Sequence, residues 1–273
     1  MDALPPELHL YIVSFLPLTS LIAARGVNTQ WRAFAQTTTL HPARKVLLNI
    51  YLAAIVHPNF SSLVAALQPC VREFDREAYI EDLRSRGCVL PDLFELWILE
   101  WPTKAVHFWA WPGLANQSAV HHEYFYEYFY DIGSLLGGAA PTIETLPVPK
   151  KGRKAATITD DGHPTCRGLA LWQVYLWSAV GVARLWLVVD ADVGMNDRRT
   201  GRLLWTYSDF VDGPEGSFHL GPKKVFYDTP FGPPTDFKLS NFLDLLDLNR
   251  DRIDDALEGY YMEGGVRQTD DDG

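Results

Sequence analysis

Three small groups of side chains have the types needed for chemistry, and each fails on spacing. His121, His122 and Glu123 place two metal-type ligands beside a carboxylate. A zinc site needs three or four donors converging on one point, whereas adjacent residues point apart on a helix or a strand. With no third ligand spaced alongside, they read as an exposed polar turn. His163 and Cys166 are a base and a nucleophile type within one Gly- and Pro-containing stretch. A His in such a loop is solvated rather than aimed at a thiol. Asp190, Asp192 and Asp197 offer oxygens for a hard cation, without the Gly and terminal Glu of a calcium loop. They read as turn carboxylates. No Gly-rich phosphate cradle precedes a helix, so the residues make no case for catalysis, a cofactor or a metal.

Two features point to binding instead. Lys150, Lys151, Arg153 and Lys154 form the one basic cluster, inside a long loop. It reads as solvated loop, with nuclear import or an acidic partner as the functional alternative. Tyr124, Phe125, Tyr126, Tyr128, Phe129 and Tyr130 surround Glu127. Such a run cannot all face a core on either a helix or a strand, so Tyr124, Tyr126 and Tyr128 are candidates to line a groove for a client protein. Core packing with a loop cover is the simpler reading.

The elements that position these residues divide the chain in two. At 273 residues with 47% hydrophobic content, it is long enough for one sizeable core plus a small module. Residues 46–54, 63–67, 74–86 and 93–99 carry helical spacing, and the last is apolar on nearly all sides, as a buried helix is. Gly87 is placed to stop the third. Beyond Trp101 and Pro102 the character turns to short strands. Residues 169–177, 184–190 and 202–207 are rich in Trp, Leu, Val and Tyr, and the last two flank a turn at 196–201, predicting an antiparallel hairpin. Residues 223–227 read as an edge strand, 137–168 as a long exposed loop, and 239–246 as a terminal helix. The acidic, Gly-rich tail beyond about residue 258 reads as disordered.

Charge and cysteine usage exclude whole classes of function. The formal charge is −10, with 34 acidic against 24 basic residues, which argues against a nucleic-acid surface. Cys70, Cys88 and Cys166 have no metal spacing and form no even disulfide set, which predicts a reducing compartment, the cytoplasm or the nucleus. No apolar run is long enough to span a bilayer and no secretory start is expected, so no membrane association is expected either. Nine Trp, twelve Tyr and fourteen Phe are the side chains that bury large areas or anchor interfaces, which favours a protein-binding role.

The sharpest pattern is at the beginning. Leu8, Ile12, Phe15 and Leu16 lie at i, i+4, i+7 and i+8 on one helix face that Pro5 and Pro6 can start and Pro17 stops. Thr19 or Ser20 can cap a second short helix through Leu21, Ile22 and Ala24, and Asn28 a third carrying Trp31 and Phe34. A unit of some forty residues cannot bury its own apolar surface, so that surface must meet another domain or another protein.

The motif Leu4-Pro5-Pro6-Glu7-Leu8, then Ile12, Leu16-Pro17, Leu21, Arg25, Val27 and Trp31-Arg32, resembles the F-box. Asn28 stands where that family usually has Cys. The resemblance covers residues 4 to about 44 and implies an adaptor-docking module of cullin-type ubiquitin ligases. It implies docking of a Skp-type adaptor through Leu4, Pro5, Leu8, Ile12 and Leu16, with Val27 and Trp31 shared between contact and internal packing. Through the adaptor come cullin and RING subunits.

Residues 72 to about 250 are similar to the SUKH superfamily of protein-binding domains. The resemblance rests on Leu90-Pro91 before a buried helix, Trp111-Pro112-Gly113, the hairpin Leu187-Val188-Val189-Asp190 to Gly201-Arg202-Leu203-Leu204-Trp205, and residues 239–246. The family's Asn-Gly after its Leu-Pro helix is absent, and Trp101-Pro102 stands near there.

The expected fold is therefore α+β. Residues 1–44 are an F-box, 45–71 a helical linker, 72–258 a SUKH-like domain with helices packed on an antiparallel sheet, and 259–273 a tail. The expected function is a non-catalytic substrate receptor of an SCF-type ubiquitin ligase. The alternative is a non-degradative interaction scaffold.

Overall fold

A computed structural model describes residues 4–107, 111–114, 131–134, 141–147, 155–157, 165–176, 181–189, 200–212, 218–220, 224–226 and 246. Among the described residues seven α-helices come first: α1 (Pro6–Phe15), α2 (Leu18–Val27), α3 (Thr29–Thr37), α4 (Pro42–Ile55), α5 (Phe60–Leu67), α6 (Arg76–Ser85) and α7 (Asp92–Glu100). Strands follow: β1 (Asp131–Ser134), β2 (Ile143–Pro147), β3 (Ala155–Thr157), β4 (Thr165–Leu176), β5 (Gly181–Val188), β6 (Leu203–Asp212), β7 (Phe218–Leu220) and β8 (Lys224–Phe226). The described residues are α+β, with these helices before an antiparallel sheet. No single helix among the described residues is long and apolar enough to cross a membrane.

Local signals account for most helix ends. Proline occupies the N-cap or first turn of α1, α2, α4 and α7, where its missing N–H costs nothing. Asp75 caps α6, its Oδ1 accepting from the Ala78 amide at 2.9 Å. Gly87 follows α6 at φ +76°, with its amide bonded to the Arg84 carbonyl and that of Cys88 to Leu83. This is a Schellman closure, and it needs the left-handed residue that glycine supplies most easily. Helix α5 begins at Phe60 without a side-chain cap.

The sheet runs β1-β4-β5-β6-β8-β3, with β2 also paired to β4 and β7 to β6. The β5–β6 hairpin forms as its sequence predicts, pairing Leu187 with Leu203 and Gly181 with Asp209. Two expectations are corrected here. Residues 224–226 are no edge strand, because β8 lies between β6 and β3. The stretch 137–168 is not simply loop, since it supplies β2 and β3 and the start of β4. Ala155-Ala156-Thr157 has little strand propensity of its own. Pairing with β8 overrides it.

Both faces of the central strands are buried, which is why residues 185–189 are apolar without alternation. Leu185, Leu187 and Val189 face the main core, whereas Trp186 and Val188 join Leu146, Cys166, Ala170 and Leu204 in a second cluster. The same two-sided burial holds in β4, where Leu169 and Leu171 join the main core and Ala170 the second cluster.

The main core is continuous from the first helices to the sheet. It joins Val13 of α1, Leu18 and Leu21 of α2 and Ala35 of α3 to Leu47 and Ile50 of α4. It continues through Phe94, Trp97 and Ile98 of α7 to Leu169, Leu187 and Leu203. The ring of Trp111 meets Trp97 edge-on at 5.1 Å. The guanidinium of Arg76 lies over Trp111 and donates to the carbonyls of Ile98, Leu99 and Trp101, closing the end of α7.

Candidate functional site

Helix α1 turns one side to the protein and leaves the other in water. Val13 is its buried residue, and His9 stacks on Phe34 of α3 at 5.0 Å and meets Trp31 edge-on at 5.6 Å. Leu4, Leu8, Tyr11, Ile12 and Phe15 are exposed, with Phe15 at 66%. Tyr11 and Phe15 pair edge-to-face at 4.9 Å across that outer side. Val27, at the end of α2, is also exposed. Such a row of large apolar groups left in solvent is the kind of surface to which another protein can dock.

The residues expected to dock a partner divide accordingly. Leu4, Pro5, Leu8, Ile12 and Val27 are exposed, while Leu16 and Trp31 are partly buried against the main core. Trp31 is fixed by the third helix's cap, where Asn28 Oδ1 accepts from the Trp31 amide at 2.9 Å. Periodicity alone missed Val13 as the inward residue. Leu8, Leu10, Tyr11, Ile12, Val13 and Phe15 wrap most of the helix, so no apolar stripe singles out the face that turns inward.

The start of α2 is held in a way the sequence did not signal. Neither Thr19 nor Ser20 is its cap. The Leu18 amide donates to Glu100 Oε2 at 2.7 Å, from the last residue of α7. Arg44 grips the same carboxylate with both prongs, Nε to Oε2 at 2.8 Å and Nη2 to Oε1 at 2.6 Å. Both side chains are largely buried, and the bond to Glu100 raises the Arg44 pKa above its ordinary value.

The candidate chemical groups do not come together. Cys166 is buried in the second cluster; His121, His122, His163, Asp190, Asp192 and Asp197 lie outside the described residues. So do Tyr124, Tyr126, Tyr128 and the basic cluster at 150–154. Among the described residues no group of His, Cys, Asp and Glu is arranged to hold a metal ion. His107 is buried between Phe60 and Trp101, its Nδ1 3.0 Å from the Ala105 carbonyl oxygen, and burial pushes its pKa down to about 4. It is a core group.

Residues 1–41 match the F-box-like family model. The match contains the whole exposed row on α1, with Val27 and Trp31. F-box domains in general bind Skp-type adaptors, and they are typically the non-catalytic, adaptor-facing part of substrate receptors in SCF-type complexes. Searches of the curated proteins and of the solved structures each returned no match.

Proposed function

We propose that this chain is a substrate-recognition subunit of an SCF-type cullin-RING ubiquitin ligase. The observation that carries the reading is the exposed apolar row of Leu4, Leu8 and Ile12 inside a segment that matches the F-box-like model. In this reading Leu4, Pro5, Leu8, Ile12 and Leu16 contact a Skp-type adaptor, and Val27 and Trp31 are shared between adaptor contact and the F-box-like unit's own packing. The adaptor in turn holds the cullin, the RING subunit and the ubiquitin-charged enzyme. The part from residue 72 onward holds a client protein so that its lysines stay near the thioester. Catalysis by this chain is not required. Proximity raises the effective concentration of the lysine.

The division into 1–44, 45–71, 72–258 and 259–273 belongs to the same proposal, as does a SUKH-like character for the third part. Helices packed on an antiparallel sheet support that character, and Tyr124, Tyr126 and Tyr128 are the client-facing candidates. A reducing compartment, cytoplasmic or nuclear, is the location this function requires.

The test is co-expression with a Skp-type adaptor, followed by size-exclusion chromatography of wild type and the Leu8→Ala/Ile12→Ala pair. Each truncation removes about 2 kcal/mol of interface burial, so the pair should weaken binding more than about a hundredfold. Both residues are already roughly half in water, so the cost to the fold stays well below that of a core Leu→Ala. A double variant that co-elutes with adaptor at wild-type yield overturns the residue assignment. A wild type that elutes alone overturns the ligase reading. In a pull-down with cullin also present, adaptor recovered without cullin points to the scaffold function.

A further inference from the structure

We propose that Glu100 is a positioning residue that sets the orientation of the F-box-like unit on the rest of the chain, by bonding the start of α2 and the Arg44 side chain at once. Three element ends meet at its carboxylate: Leu18 opens α2, Arg44 lies in the first turn of α4, and Glu100 closes α7. Taken helix by helix, both charges are misplaced. An anion at the C-terminal end of α7 opposes that helix's dipole, and a cation in the first turn of α4 opposes the dipole there. Each becomes favourable only through the other and through the amide of Leu18, where the positive end of α2 meets the carboxylate. The arrangement makes sense as a tertiary contact and not as local helix chemistry.

The apolar contacts across the same junction, Val13, Leu18 and Leu21 against the main core, resist separation without fixing an angle. The forked Arg44–Glu100 pair and the Leu18 bond are directional and shielded from water, with the two side chains only 16% and 12% exposed. Direction therefore comes from Glu100. Under the receptor reading above, on which this consequence rests, the contact fixes the line from adaptor to client. Its physical basis does not depend on that reading.

The experiment is amide hydrogen exchange on the full chain, wild type against Glu100→Gln, with adaptor affinity measured in parallel. Gln can still accept from the Leu18 amide, but it leaves the Arg44 charge uncompensated in a poorly solvated place. The expected result is exchange at least about tenfold faster across α1 to α3 as a unit, with α6, α7 and β4 to β6 unchanged. Adaptor affinity should stay within about twofold, because the exposed row on α1 is untouched. Faster exchange confined to the first turn of α2 would reduce Glu100 to a cap and overturn the proposal. So would no change, or an equal rise in every segment.

Should Glu100→Gln fail to fold, Arg44→Lys keeps the charge and loses the fork, and should give the same pattern at smaller amplitude. The same three patterns of exchange decide it. If wild type binds no adaptor, the receptor reading falls while the exchange pattern still decides the role of Glu100.

Discussion

Asn28 shows what one polar atom does at this site. It stands where the F-box family usually has Cys, and its Oδ1 takes up the Trp31 amide at 2.9 Å, one of the orphan donors at the start of α3. Asn28→Ala should therefore cost about 1 kcal/mol, lowering the melting temperature by roughly 2 to 4 °C for a chain of this size. Asn28→Ser should recover most of that. A melting temperature unmoved by the Ala substitution would mean that water replaces the cap. This cap was legible because donor and acceptor are three residues apart. Glu100 was not legible for the opposite reason: its partners lie 82 and 56 positions away, and no local rule places an acid at the end of α7. The exposed row on α1 was half legible. Leu4, Leu8 and Ile12 were singled out by motif spacing and Phe15 by helical spacing, whereas Leu16, read on the same face, is partly buried and Tyr11 is exposed on a helix whose apolar residues wrap most of the surface.

At the scale of elements, what could be read was whatever punctuates itself. Pro91 opens α7, Gly87 closes α6, and the two strand patterns around residues 196–201 pair as β5 and β6. The strands β2 and β3 could not be read, since Ile143–Pro147 and Ala155–Thr157 are short and mixed with turn formers, and become strands through pairing with β4 and β8. Gly87 offers the clearest element-level test. At φ +76° an added Cβ is strained, and it would also approach Arg167 Nη1 to 2.9 Å. That guanidinium donates to the Arg86 carbonyl, tying the end of α6 to β4. Gly87→Ala should thus destabilise by about 1 to 2 kcal/mol, read as a lower urea midpoint at unchanged slope. The Arg167 side chain can swing aside, so the strained backbone is the larger part. A midpoint equal to wild type would mean that the α6 end relaxes out of the left-handed conformation without cost.

For the molecule as a whole, one core reaches from Val13 to Leu246, so a group buried anywhere along it reports on the entire fold. His107 sits at its margin, 1% exposed, with the ring of Trp101 from that core at 5.7 Å and the ring of Phe60 from a smaller neighbouring cluster at 5.3 Å. Burial lowers its pKa from the usual 6.5 to about 4, and the bond to the Ala105 carbonyl opposes that only in part. The folded chain therefore keeps this ring neutral down to about pH 4, while the unfolded chain protonates it below about 6.5. Between those values the unfolded state binds more protons, so stability rises with pH. The contribution is whole above pH 6.5 and is lost as the pH falls toward 4, to a limit on the order of 3 kcal/mol. Comparison with a variant isolates the part that belongs to this ring. His107→Gln removes the titration while keeping a neutral polar side chain. Urea unfolding of both proteins at several pH values should give stability curves that are parallel above pH 6.5 and approach each other below it, as the wild type loses what the variant never had. Curves that stay parallel down to pH 4 would show that water reaches the ring in the folded protein, and that the core is open where His107 sits.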